Sequence, residues 1–263
     1  MQARAFQALD QWFLTAQGQA VSSSFIEELK SWKELKQSMR GDCLLQLGTA
    51  GDHNWLPLFN YKTKLIISPC TYNYKNVQSA HVLGLIKALP FAESSIDCLI
   101  SPMALEPHSW PLHPLDEFDR VLKPMGYIVF LGISALSLWG LALRFGNLPY
   151  LARGLINPVS IFKLKHALLH RGYSLCYLEP FFYIPPAKSK KWLDRLEIFN
   201  ELGKMISPCP GGFYCMIVQK YIPQHTNPLL EQVFWTNDKH PAAMHPVGCG
   251  SRRSSINGIN RSN

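Results

Sequence analysis

Two histidines stand five positions apart in the proline-stiffened stretch Glu106-Pro107-His108-Ser109-Trp110-Pro111-Leu112-His113-Pro114. Imidazole titrates near neutral pH, so His108 and His113 are the candidate general bases, able to take a proton from an acceptor nucleophile. The plainer reading of the same residues is a stiff loop that shows its imidazoles to solvent. A second pair, His166 and His170, lies four positions apart, the spacing of a two-histidine platform on a helix. No Glu follows His166 in the metalloprotease arrangement and the sequence offers no third ligand, so no metal site is expected. Seven cysteines are scattered through the chain, and the tightest pair, Cys209 and Cys215, matches no zinc-finger spacing. They read as reduced thiols buried in apolar runs.

A different kind of chemistry is offered by Gly48-Thr49-Ala50-Gly51, which follows the apolar run Cys43–Leu47. A glycine turn at the end of a strand lets main chain approach a nucleotide closely. The elements around it follow from periodicity. Residues 5–14 place Phe6, Leu9 and Phe13 on one helical face. Ser24-Phe25-Ile26-Glu27 has the form of a capping box ahead of Ile26, Leu29, Trp32, Leu35 and Met39. Two helices are therefore expected over 1–40. Strands are expected at Cys43–Leu47, Lys64–Ser68, Ile96–Ser101 and Tyr127–Leu131, with a helix at 114–122. Residues 70–88 carry little pattern and read as helix or irregular chain. In Lys123-Pro124-Met125-Gly126, Pro presets the turn and Gly is the residue expected to take positive φ.

Met125–Leu143 is 19 residues without a formal charge, long enough to be weighed as a membrane span. Gly132, Ser134 and Ser137 divide it instead into a strand, a short loop and a helix from about Ser137, so no transmembrane helix is expected; an interfacial helix stays open. Tyr173–Ile184 and the run ending Gly211-Gly212-Phe213-Tyr214-Cys215-Met216-Ile217-Val218 read as an antiparallel pair, with an amphipathic helix around 189–204 between them. Residues 222–263, rich in Pro, Asn, Ser, Gly and His, read as a disordered tail. Strands alternating with helices imply a mostly parallel sheet covered on both faces.

The blocks LLQLGTAG, LPFAESSIDCLISPMALE, DEFDRVLKPMGYIVFLG and SLWGL resemble the class I S-adenosylmethionine-dependent methyltransferases, and most closely the small bacterial type 11 methyltransferase-like proteins. The resemblance runs from about Trp12 to Tyr221. It implies a Rossmann-like α/β fold with a seven-stranded, mostly parallel sheet, over a domain of residues 41–221 with a basic helical insertion at about 137–172. It also implies S-adenosyl-L-methionine as cofactor, held by Gln46, Leu47, Gly48, Thr49 and Gly51 after the first strand, Ser68 after the second, Leu89 and Pro90 in the next turn, and Met103 after the fourth strand. Asp97 corresponds to an acid that braces the loop. The chain departs from the family at Gln46 and at Ser68-Pro69, where relatives carry acids. A carboxylate gripping ribose hydroxyls makes charge-assisted bonds of about 1.5–3 kcal/mol each, so its loss weakens the cofactor unless something substitutes. Two readings stay open: a methyltransferase that works by aligning an acceptor in a dry pocket, and a non-catalytic binding or regulatory protein of the same fold.

The charge is uneven. Of the net +8, residues 1–143 hold 11 basic and 12 acidic side chains, 144–220 hold 11 and 4, and 221–263 hold 4 and 2. A chain that coats nucleic acid along its length is excluded, and no specific nucleic acid is expected. A basic second half, 144–220, is left to meet an anionic substrate or membrane surface, and a small-molecule or lipophilic acceptor is compatible with the apolar Trp139, Phe145 and Tyr150. Met1–Gln11 has one Arg and no continuous apolar run, which is no secretory signal. With reduced thiols this points to the cytoplasm, with peripheral membrane contact left open.

Overall fold

Apolar runs that the sequence bounds with turns become strands, and with one short, mostly exposed edge strand they make a seven-stranded sheet. Its strands are β1 (Arg40–Leu47), β2 (Asn60–Ser68), β3 (Ala80–Leu83), β4 (Ile96–Pro102), β5 (Leu122–Ile133), β6 (Tyr173–Phe181) and β7 (Phe213–Lys220), in the order β3-β2-β1-β4-β5-β7-β6. A computed structural model describes residues 2–32, 37–51, 55–70, 80–145, 148, 151, 155–186 and 211–221. The expected helix at 189–204 and tail at 222–263 lie outside the described residues. Strands β1 to β5 pair in parallel, while β7 runs antiparallel to both β5 and β6.

Side chains alternate across the sheet as a pleat requires. Leu44, Cys98, Ile100, Val129 and Leu131 enter one apolar layer, and Leu45, Leu99, Ile128 and Phe130 enter the other. The first layer is covered by α2 (Ala16–Ser31) and by α4 (Leu138–Phe145) through Trp139 and Leu143. The second is covered by α3 (Leu115–Val121) and α5 (Ile161–His170) through Phe118, Leu164 and Leu168. The first helix, α1 (Gln2–Phe13), belongs to neither face alone: Ala5, Leu9 and Phe13 join one layer and Phe6 the other.

Several expectations are corrected. The second helix begins at Ala16, not at Ser24: Thr15 caps it by accepting from the Gly18 amide, which puts Ser24 and Glu27 in mid-helix. Part of the patternless stretch 70–88 is strand β3, a short edge strand with three of its four residues exposed, which is why its alternation is faint. At the 123–126 turn the positive φ falls on Met125 (61°), not Gly126. Gly126 is needed for space, since a Cβ there would lie 2.8 Å from the Lys123 carbonyl and 2.9 Å from that of Asp97. The uncharged run 125–143 divides between β5 and α4, and no described helix is long and apolar enough to cross a membrane. The described cysteines are free thiols; Cys98 and Cys215 are buried, but Cys176 is exposed.

Asp97 ties three elements together. Its Oδ2 accepts from the Asp42 and Cys43 amides at 3.0 and 2.9 Å, and both carboxylate oxygens take the Lys123 ammonium at 2.9 Å. Asp97→Ala leaves two amides and a cation without their partner. It should lower the unfolding free energy by about 3 kcal/mol, read from the urea midpoint; a loss below about 1 kcal/mol would show that Asp97 does not organise this edge.

Candidate active site

The carboxyl ends of β1, β2 and β4 meet at the glycine turn. Gly48 (φ 87°), Ala50 (φ 47°) and Gly51 (φ 65°) all lie in the left-handed region, so the chain doubles back sharply after Leu47. The Gly48 amide donates to the Ile67 carbonyl at 2.7 Å, tying the turn to β2. Gln46 is fully buried, and its side-chain amide donates to the Gly48 carbonyl, bracing the turn from within. Thr49 is buried, and its hydroxyl has no hydrogen-bond partner among the described residues; the same holds for Ser101 at the end of β4. Ser68 spends its hydroxyl as acceptor for the Cys70 amide. On the β4 side Met103 has φ 53° and donates its amide to the Leu131 carbonyl. The structure thus brings Gln46, Leu47, Gly48, Thr49, Gly51, Ser68 and Met103 to one edge of the sheet.

Leu89 and Pro90 are positioned by a clamp that the sequence reading missed. Glu117 accepts from the Leu89 amide, and Arg120 donates to the carbonyls of Leu89 and Phe91 while pairing with Glu117 at 2.8 Å. The LPF block and the DEFDRVL block are two halves of one contact. Leu89 points into the core and Pro90 is exposed, standing near Gly84.

The space above the glycine turn is taken by α1. The Phe6 ring lies 3.3 Å from where a Gly48 Cβ would be, and the Asp10 carboxylate accepts from the Gly51 amide at 3.1 Å. Asp10 is only 2% exposed. The Ala3 carbonyl accepts from the Cys70 thiol at 2.9 Å. A signal for this was present: Phe6, Leu9, Asp10 and Phe13 form one helical stripe, and an acid on an apolar stripe needs a buried donor.

At the N-terminal end of α1 lies a pocket of about 490 Å³ lined by Gln2, Ala5, Lys87, His108, Trp110, His113 and Asn157 among others. Both candidate bases therefore face one cavity. His108 is 8% exposed, and its Nε2 meets the Gln2 side chain at 3.3 Å. Burial, with help from His113 and Lys87, moves its pKa down to about 4, away from the neutral range expected of it. It is uncharged at pH 7 and a weak base. Glu106, just before it, is buried and accepts from the Ile133 amide; burial pushes its pKa up to about 7, against the pull of main-chain amides. His166 and His170 place their Nε2 atoms 3.1 Å apart on the exposed face of α5, and no group of three or more metal-ligating side chains occurs among the described residues.

Residues 60–130 match the family described as a methyltransferase domain. Among solved structures, a chain of the Haloferax volcanii complex between the Trm112 methyltransferase activator and its candidate methyltransferase superposes with a TM-score of 0.54 at 16% identity, covering 81% of this chain and 98% of that one. A candidate methyltransferase from Bacillus halodurans gives 0.51 at 17% identity (76% and 100% covered). An S-adenosylmethionine-dependent methyltransferase from Mesorhizobium loti gives 0.50 at 15% (72% and 96%). At these identities the likeness is one of fold. No curated protein matches by sequence. Strand order and likeness together give the chain the Rossmann-like fold of the class I methyltransferases. The methyltransferase-domain match spans residues 60–130, from β2 into β5, and the fold around it is the one these methyltransferases share.

Glu106 gives the site a pH signature. Its pKa rises from 4.5 to about 7 on folding, so the folded chain binds the proton more tightly. Its contribution is greatest below about pH 4.5 and is lost as pH rises towards 7, on the order of 3 kcal/mol in all. His108, depressed from 6.5 to about 4, acts oppositely, costing stability as pH falls through that window. Comparing wild type with Glu106→Gln cancels the histidine. Melting temperatures should coincide near about pH 4.5 and separate by about pH 7.5, with the glutamine variant higher; a constant gap would place Glu106 in an ordinary carboxylate environment.

Proposed function

We propose that the chain transfers a methyl group from S-adenosylmethionine to an anionic small-molecule acceptor that enters through the pocket of His108 and His113. The observation that carries this reading is the position of α1. Its Phe6 and Asp10 fill the glycine turn, its Gln2 and Ala5 line the pocket, and the Phe6 ring also meets the His108 ring with centroids 6.2 Å apart. Withdrawal of one helix would join a nucleotide-type cradle and an acceptor cavity into a single cleft.

The residues beneath α1 fit the cofactor. Gly48 and Gly51 supply the cradle, Thr49 and Ser101 supply buried hydroxyls without partners among the described residues, and the Gly51 amide now held by Asp10 is a free donor once α1 leaves. Met103 forms the facing wall. When bound, the cofactor supplies an electrophilic methyl group on a sulfonium. The chain's own part is positioning and exclusion of water, which suits a site where the neighbouring ionisable side chains are held near neutrality. His108 is neutral at pH 7 and can accept a hydrogen bond from an acceptor's nucleophilic group. Lys87 lines the pocket without any carboxylate among the described lining residues, which favours an anionic acceptor. The second reading, a non-catalytic binding protein, draws its support from the seated α1 itself, which leaves no room above Gly48.

Calorimetry with S-adenosylmethionine and S-adenosylhomocysteine separates the two. If α1 must leave the turn, the apparent affinity is reduced by the fraction of chains with α1 seated. Loosening it with Phe6→Ala and Asp10→Ala should tighten binding by about tenfold. Absence of binding by wild type and variant at millimolar ligand would overturn the enzyme reading. Weaker binding by the variant would make α1 part of the cofactor site and not its competitor.

A further inference from the structure

Helix α4 is apolar on both sides. Its inner side packs as a core helix should: Trp139 and Leu143 are buried, and the Trp139 indole donates to the Ile184 carbonyl at 2.8 Å. Gly140 lets the helix close on its own entry turn, since a Cβ there would lie 2.5 Å from the Ser134 carbonyl. Its outer side carries Leu138, Leu141 and Phe145, 60%, 53% and 72% exposed, with Leu136 at 76% just ahead of it. A helix that faces water on one side normally places polar residues there. Here the i, i+3, i+7 stripe is the reverse, and such contiguous exposure marks a surface built to be covered.

Charge indicates what covers it. Between Asp119 and Glu179 the sequence contains no acidic residue and seven basic ones, of which Arg120, Lys123 and Arg171 pair with Glu117, Asp97 and Asp116. The one charge on α4, Arg144, stands over the Phe145 ring with its guanidinium carbon 5.7 Å from the centroid. On α5, exposed Phe162 precedes Lys163 and Lys165, and neither these lysines nor Arg144 takes part in an ion pair among the described residues. Beside the stripe opens a largely apolar pocket of about 490 Å³, bounded by Leu138, Leu141, Phe145, Tyr183 and Ile184. Apolar side chains projecting from a short helix, with Arg144 and no carboxylate among the described residues lining the pocket beside them, are the chemistry of an interfacial helix on anionic lipid.

We propose that α4 docks the protein on an anionic membrane surface. Leu136, Leu138, Leu141 and Phe145 enter the headgroup–acyl boundary, and Arg144 beside them meets lipid phosphates and carboxylates. A nucleic acid is a poorer occupant, because the outermost side chains offer no donor to phosphate or base. The helix lies in the interface and does not span it.

The full chain should co-sediment with vesicles of phosphatidylcholine containing about 30% phosphatidylserine at low salt, and much less at about 0.5 M salt or with phosphatidylcholine alone. Leu138→Ser/Leu141→Ser/Phe145→Ser, all exposed positions, should lower the bound fraction about tenfold at low salt with an unchanged far-ultraviolet circular dichroism spectrum. Three results overturn the proposal: a wild-type chain that stays in the supernatant with anionic vesicles, equal binding by the triple variant, or equal binding to neutral vesicles. A solution dimer that the triple variant abolishes, with no vesicle binding, would assign the face to a second copy instead.

Discussion

Parallel strands that end together leave a crevice and a set of amide donors at their carboxyl edge, and something has to occupy both. In this chain α1 does. The Asp10 carboxylate takes the Gly51 amide, the Phe6 ring lies on Gly48, and the Ala3 carbonyl takes the Cys70 thiol. An acid buried to this degree is tolerable only where it finds a donor, and the turn supplies one. The glycines are therefore occupied from both sides, by Gln46 from below and by α1 from above. The pocket of His108 is lined by Gln2 and Ala5 of the same helix, and its His108 ring meets Phe6. The placement of one twelve-residue helix decides whether the edge reads as one cleft or two.

Burial sets the electrostatics there in a way that residue type alone does not. His108 and Glu106 are near neighbours in sequence, and both lose their charged forms to desolvation, the imidazole by losing its proton and the carboxyl by keeping it. The sequence marks histidine as the neutral-range group, whereas in the fold the carboxyl lies closer to pH 7. That reversal suits a site whose electrophile needs alignment more than proton transfer. It leaves Lys87 as the formal cation on the pocket wall.

What the sequence made legible were features enforced by long apolar runs. β1, β4, β5 and β7 stand where their hydrophobic stretches stand, because a strand buried on both faces has no polar alternative, and β6 follows as the antiparallel partner of β7. β3 escaped because it is short and at the edge, with little to bury. Ser24–Glu27 misled because a capping-box pattern is local, and Thr15 offered an earlier cap at a point where the chain had to turn. Gly126 was correctly marked as special for the wrong reason: close backbone approach, not positive φ, excludes a side chain. In the site, the glycine turn was visible and its occupant was not. Asp10 and the Glu117–Arg120 clamp are ordinary residues locally and become informative only when a partner far along the chain is known.

The same helix links the edge to the surface. Trp12, near the end of α1, stacks on Phe213 with centroids 5.9 Å apart and planes 22° apart, and meets Trp139 of α4 at 5.9 Å. Trp139 in turn packs on Phe213 and Phe182. These rings are buried and close-packed, so none can shift without opening space that its neighbours must fill. Lifting α1 from the glycine turn as a rigid helix draws Trp12 out of that cluster and removes a wall from the inner side of α4. The outer side of α4 is the exposed apolar stripe. The seat that α1 takes over Gly48 and the way α4 presents Leu138, Leu141 and Phe145 are thus set by one continuous block of aromatic packing.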